Sequence, residues 1–286
     1  MIHGPARIPL PGAGALELGR HPLIMGILNV NPDSFSDGGD FVVLDKALSH
    51  ASEMAAEGAD ILDIGGESTR PGAEEVSAQT ERDRVMPVLH ALAESAYPLP
   101  ISIDTYKAAV ARDALSAGAK IVNDVYGLQR DPEIAGVAAA FGAPAVVMHW
   151  DKDRDTGKDL IAEMLRYFEV SLTIAERHGL ARERLILDPG FGFAKSLKEN
   201  YTLLNRLYEL LELGIPLLIG TSRKSMIGRL LDNAPKERLA GTLATTTLAY
   251  TGGGQIFRVH DVRENRDALR VAEATLYGAP DAESTR

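Results

Sequence analysis

The chain has no cysteine among its 286 residues, so neither a disulfide framework nor a thiolate metal site can be built from it. Aromatic residues make up 6% of it, with a single tryptophan. Its interior must therefore come from Leu, Ile, Val and Ala, which suits layered helices and parallel strands. No apolar run approaches the ~18 residues that span a bilayer. The first 20 residues lack a basic segment followed by an apolar one, the mark of a secretory signal. The expectation is a cytoplasmic protein with no membrane attachment. A net charge of −10 argues against a broad nucleic-acid or anionic-membrane surface, so basic groups gathered in one place would stand out. No His-Glu-x-x-His pairing occurs, which removes the usual zinc cage. A hard ion such as Mg²⁺, held by Asn29 and the phosphates of a ligand, stays open.

What is present is a repeat. Eight apolar runs occur, at Leu23–Leu28, Ile61–Ile64, Ile101–Ile103, Lys120–Val122, Ala145–Met148, Leu185–Leu187, Leu217–Ile219 and Ile256–Val259. Most are too short for helices and are rich in Ile, Leu and Val, as buried strands should be. Helical periodicity fills the gaps, at Ala47–Glu57, Val76–Glu94, Ala108–Ala117, Glu133–Phe141, Asp159–His178, Asn200–Glu212, Arg238–Tyr250 and Val262–Leu276. Glycines at 58, 118, 142, 179 and 214 mark helix ends. Strict alternation predicts a parallel sheet with crossover helices. Eight units in one chain predict a single (β/α)₈ barrel. An open doubly wound sheet comes second, because no Gly-x-Gly-x-x-Gly follows the first strand. The Pro- and Gly-rich residues 1–20 read as an arm or hairpin, residues 21–278 as the barrel, and 279–286 as a disordered tail.

Barrel enzymes carry their chemistry at the carboxyl ends of the strands. Here those ends bring Asn29, Asp63, Asp104, Asn123 with Asp124, Met148 with His149, Asp188, Lys224 with Ser225, and Arg258 with His260. Eight polar ends at one barrel mouth need partners or a ligand. Singly, each has a plainer reading. Asp104 could cap the following helix, Asn123 and Asp124 could be turn residues, and His149 suits a packed or hydrogen-bonded histidine. Taken together, Asp104, Asn123 and Asp188 offer acceptors and amides to a flat, donor-rich heterocycle. Arg70, Lys224, Arg258 and His260 offer positive charge to phosphate. The pattern points to a phosphorylated heterocyclic substrate.

The motifs are specific. They include Met25-Gly26-Ile27-Leu28-Asn29-Val30, Pro32-Asp33-Ser34-Phe35-Ser36-Asp37-Gly38-Gly39, Asp63 through Gly72 and Ser102-Ile103-Asp104-Thr105. Val122-Asn123-Asp124-Val125, Leu187-Asp188-Pro189-Gly190, Gly192-Phe193-Ala194-Lys195, Ser222-Arg223-Lys224-Ser225 and Arg258-Val259-His260-Asp261-Val262 follow in order. Across nearly the whole chain, this series closely resembles the dihydropteroate synthase family of folate biosynthesis.

The resemblance implies a (β/α)₈ transferase that joins 6-hydroxymethyl-7,8-dihydropterin pyrophosphate to p-aminobenzoate by a dissociative route. It implies pterin contacts from Asp104, Asn123, Val125, Met148, Asp188, Phe193, Gly220 and Lys224. Pyrophosphate contacts fall on Thr69, Arg70, Arg258 and His260, and an aminobenzoate pocket on Phe35, Pro71, Lys224 and Ser225. Asn29 maps onto a Mg²⁺ ligand. Asp37 and Arg70, on the first two loops, are expected to close over the site and act in catalysis with Lys224. Sulfonamide competition and a homodimer are further implications. One departure is Asn31, where the family usually has Thr. Trp150 to Lys158 is a segment that varies within the family.

Three rival readings fit parts of the chain. A corrinoid-dependent methyltetrahydrofolate methyltransferase would share the Asp and Asn contacts, but has no use for Ser68–Gly72, Lys224-Ser225 or Arg258 and His260. A Schiff-base aldolase wants a lysine buried mid-strand with a lowered pKa, whereas Lys224 is expected in a loop. A non-catalytic pterin-binding paralogue would have shed loop or anion residues that this chain keeps.

Overall fold

The computed structural model describes residues 3–12, 14–30, 40–68 and 74–279, with the side chains of residues 40–43 left aside. Asn31, Phe35, Asp37, Thr69, Arg70, Pro71 and the expected tail from residue 280 lie outside the described residues.

A short antiparallel hairpin comes first, β1 (Ala6–Pro9) and β2 (Ala15–Leu18). The strands β3 (Leu23–Asn29), β4 (Ile61–Gly65), β5 (Ile101–Asp104), β6 (Ile121–Asp124), β7 (Ala145–Met148), β8 (Leu185–Asp188), β9 (Leu218–Ile219) and β10 (Ile256–Val259) follow. Each of these eight pairs in parallel with its neighbours, in the order β8-β7-β6-β5-β4-β3-β10-β9. A parallel bridge between Leu187 and Leu217 joins the two edges, so the sheet closes into a barrel. The helices are α1 (Asp40–Ala56), α2 (Ala78–Glu94), α3 (Ala108–Ser116), α4 (Glu133–Phe141), α5 (Leu160–Arg177), α6 (Leu197–Asn205), α7 (Ser225–Leu231), α8 (Leu239–Thr251) and α9 (Val262–Tyr277). The glycines expected to end helices all have positive φ. None of the described helices is long and apolar enough to cross a membrane.

Strand alternation sorts the core into layers. Successive side chains point to opposite faces, so odd and even positions of each run separate the inside of the barrel from the helix-facing side. Met25, Ile61, Ile121, Val146, Ile186, Leu218 and Ile256 form one buried cluster together with Ile8, Leu16 and Leu18 of the hairpin. The hairpin therefore plugs the amino-terminal end of the barrel. Leu62, Ile64, Ile103, Val122, Val147, Leu187 and Phe257 belong to the larger core shared with the helices. Two residues beyond six of the inner cluster's seven strand positions stand Asp63, Asn123, Met148, Asp188, Gly220 and Arg258, and beyond Met25 stands Ile27. One alternation thus assigns the apolar floor and the polar mouth.

Candidate active site

Arg258 is the hub of the mouth. Its Nε donates to Asp63 Oδ2 at 2.6 Å and its Nη2 to Asp104 Oδ2 at 2.7 Å. Asn123 Nδ2 also donates to Asp63 Oδ2, at 3.2 Å. Asp63 is fully buried, and its second oxygen has no partner. Burial pushes the Asp104 carboxyl up to about 7, against the opposing pull of Arg258. Burial also works against the Arg258 charge, but Asp63 and Asp104 outweigh it and hold the guanidinium proton more tightly than usual.

Asp188 and Lys224 form the other side. A methyl group at Gly220 would lie 3.6 Å from Lys224 Nζ and 3.7 Å from Asp188 Oδ2, so this glycine leaves open the space between them. Lys224 Nζ donates to Phe191 O at 2.5 Å and sits 4.7 Å from the centre of the Phe193 ring. Burial brings the Lys224 ammonium down to about 8, with Asp188 acting to raise it. Burial likewise raises Asp188, while Lys224 and the Gly190 N–H, donating at 2.7 Å, act to lower it. The mouth thus holds three carboxyl groups and two cations.

Above these groups stands an aromatic wall. Val125, Met148 and Tyr106 make a small buried cluster against Tyr126, Trp150 and Phe193. Trp150 stacks on Tyr126 at 4.5 Å and meets Phe193 edge-on at 4.9 Å.

On the β9–β10 side, Ser222 Oγ lies 3.0 Å from His260 Nδ1 and accepts from the His260 N–H at 3.2 Å. Arg223 is turned away into an ion pair with Asp261, and its carbonyl accepts from Arg238 Nη1 at 2.8 Å. Ser225 is exposed and begins α7, with Lys224 as N-cap. Asn29 ends β3 half-buried. Its amide oxygen is a hard donor that suits Mg²⁺. Among the described residues no group of three His, Asp or Glu could hold an ion unaided. Asn29 therefore fits an ion whose other positions are filled by ligand oxygens and water.

The family described as pterin binding enzyme matches residues 25–260. A dihydropteroate synthase from Synechocystis sp. is 48% identical over 274 residues, covering 93% of this chain and 94% of that protein. The solved dihydropteroate synthase of Xanthomonas albilineans with 4-aminobenzoic acid is 43% identical and superposes with a TM-score of 0.89, covering 97% and 100% of the two chains. The Yersinia pestis enzyme with a pterine-sulfa conjugate is also 43% identical, with a TM-score of 0.84 and coverage of 94% and 99%. The chain belongs to the dihydropteroate synthase family of pterin binding enzymes.

It is thus a transferase of folate biosynthesis, and the rival readings fall. One argument used against the aldolase falls with them. Lys224 does lie in a loop, but its ammonium turns into the mouth and its pKa does drop. Identity with the synthases excludes the aldolase, not lysine acidity.

Several of the expected residues come together at this mouth. Asp104, Asn123, Asp188, Met148, Gly220 and Arg258 line the inner layer, with Val125, Phe193 and Lys224 at its rim. Asp104 caps no helix, since α3 starts at Ala108 without a side-chain cap from it. Asp124 is the turn residue of its pair. Its carboxylate accepts from Tyr126 N at 2.8 Å and Leu128 N at 2.7 Å on the outer face. The expected division into acceptor and anion halves needs correcting, because Arg258 of the second half binds Asp104 of the first, together with Asp63. Buried carboxylates require a compensating charge. Asp63, named only as a strand end, joins the halves. Its signal was available, a charged residue inside an apolar strand on the face shared with Ile61.

Proposed function

We propose that the chain condenses dihydropterin pyrophosphate with p-aminobenzoate dissociatively in this mouth. The pterin lies in the slot bounded by Asp104, Asn123, Asp188 and Lys224, against Val125, Met148 and Phe193. The observation that carries this reading is the inner layer itself, where Asp63, Asp104 and Asp188 face two cations. Such an acceptor-lined, electron-rich slot favours a positive charge developing on a donor-rich ring.

The bond between the pterin methylene carbon and the pyrophosphate oxygen breaks first, its electron pair leaving with the oxygen. Arg258 and His260 meet the departing charge, and Arg258 loosens its hold on Asp104 as the pterin N–H groups take that carboxylate. Asn29 would help hold Mg²⁺, which when bound would supply further charge to the leaving group. The arylamine nitrogen then attacks the methylene carbon and loses its proton to water or pyrophosphate. Lys224 and Ser225 flank the arylamine. Thr69 and Arg70 act on the pyrophosphate, and Phe35 and Pro71 on the aminobenzoate, as the family resemblance implies. The family resemblance also gives Asp37 and Arg70 a part in catalysis with Lys224. The ligands in the Xanthomonas albilineans and Yersinia pestis structures support an arylamine pocket that sulfonamides contest.

A homodimer is part of the same reading. Leu248 on α8 and Val271 and Leu276 on α9 expose 56%, 68% and 44% of their surface. Val271 and Leu276 line a groove with Thr247, Thr251, Ala268 and Thr275. An apolar stripe of this kind suits a second copy of the chain.

The mechanism is tested by positional isotope exchange. Pterin pyrophosphate labelled with ¹⁸O at the bridging oxygen should scramble its label on the enzyme without p-aminobenzoate. Product formation with p-aminobenzoate but no scrambling without it would favour direct displacement.

A further inference from the structure

The loop between β8 and α6 supplies Phe193 to the aromatic wall and Phe191 O to Lys224, and its shape is held by contacts of its own. Gly190 has φ of +70°, and a methyl group there would lie 2.1 Å from His149 O, so the backbone itself packs on the end of β7. Ala194 is also left-handed, at φ +47°, a conformation that costs a residue with a Cβ. Lys195 closes this turn. Its Nζ reaches Gly190 O at 2.9 Å, Phe193 O at 3.2 Å and His149 Nδ1 at 2.9 Å. His149 is fully buried, and its backbone N–H donates to Asp188 O at 2.9 Å. Behind the loop, Asn200 accepts from Gly192 N at 2.6 Å, and Ser196 with Glu199 caps α6 reciprocally.

We propose that Lys195 is a positioning residue for the pterin site, its ammonium pinning two carbonyls of the β8–α6 loop to His149. This assignment rests on the synthase reading and extends it to a group that touches no substrate. Three bonds radiate from one compact cation, two to the loop and one to His149 just after β7, and fill all three ammonium donors. The carbonyl between them, Phe191 O, is thereby aimed at Lys224, and the Phe193 ring is set beside it. Burial brings Lys195 down to about 7, so at pH 6 it is an ammonium that can only donate; His149 Nδ1 then accepts and the proton sits on Nε2, which is buried with no hydrogen-bond partner among the described residues. Burial and the neighbouring Lys195 keep His149 neutral, down to about 2, which agrees with that arrangement.

Trp150 provides the readout, since it is the only tryptophan and contacts Phe193. In Lys195→Met, with secondary structure retained by circular dichroism, the Trp150 emission should shift. The KM for pterin pyrophosphate should rise roughly tenfold or more, the scale of loss when a site is slightly misplaced. Lys195→Gln, which keeps two N–H donors, should recover part of both. A Lys195→Met enzyme that only melts earlier, with KM and emission unchanged, would reduce the residue to a structural role and overturn the proposal. If that variant does not fold, ¹⁵N NMR of wild-type His149 at pH 6 decides. A bare Nδ1 with a protonated Nε2 is expected, and a protonated Nδ1 overturns it. A wild type that makes no dihydropteroate would sink the synthase reading instead, leaving the emission and NMR results to judge the loop by themselves.

Discussion

Asp104 and Lys224 both titrate away from their ordinary ranges because burial penalises the charged form of each, raising the acid and lowering the base. Asp104 must be a carboxylate to accept the N–H groups of a pterin. With its pKa raised to about 7, the free enzyme carries a proton there below that pH and loses it above. Pterin affinity should therefore weaken as pH falls through 7 and level off near pH 8. Calorimetric titration with a pterin at pH 6 and 8 checks this, and an Asp104→Asn variant should lose the pH dependence along with most of its affinity. Lys224 faces both proposed substrates. Lys224→Ala should reduce turnover about 100-fold, the scale of losing one preorganised charge partner, and should do so with the fold intact. The pairs that carry these effects were only half legible. Asp104, Asn123, Asp188, Lys224 and Arg258 were named from strand ends. That Arg258 would bond to Asp63 and Asp104 was not, because spacing along a strand gives the direction of a side chain and says nothing of its partner across the barrel.

The elements were read well where packing and local preference agree. All eight barrel strands were visible as apolar runs, and Glu133–Phe141 matched its helix end to end. Misses fall where tertiary context overrides the pattern. The helix Ser225–Leu231 was not expected, because its seven residues are too few for a periodic signal. The run Asn200–Glu212 proved to be α6 followed by a 3₁₀ turn at Leu207–Leu213, and α6 begins earlier, at the Ser196 capping box that Glu199 completes. The first helix begins at Asp40 rather than Ala47. The hairpin was expected as an arm, and its Ile8 turned out to seal the barrel floor. Ile8→Ala should cost about 2–5 kcal/mol of stability, the range for truncating a buried aliphatic. It should leave the KM values unchanged, because the floor lies at the opposite end from the mouth. Denaturant unfolding alongside steady-state kinetics tests both halves of that expectation.

At the scale of the whole molecule, the fold class and reaction class were legible because eight repeats and nine ordered motifs span nearly the whole chain. A dimer is expected only through the family resemblance, since the exposed stripe of Leu248, Val271 and Leu276 cannot be told from core positions in sequence. Sedimentation should give twice the 30.7 kDa chain mass, and Val271→Glu should shift the protein toward the monomer. The central claim is that this mouth makes dihydropteroate with Lys224 at its centre. It is tested most directly by following pyrophosphate release and dihydropteroate formation from pterin pyrophosphate with Mg²⁺, with and without p-aminobenzoate, for wild type and Lys224→Ala. Dihydropteroate that depends on p-aminobenzoate and falls sharply in the variant is the predicted result. Tight pterin binding with no dihydropteroate under any condition would contradict the account.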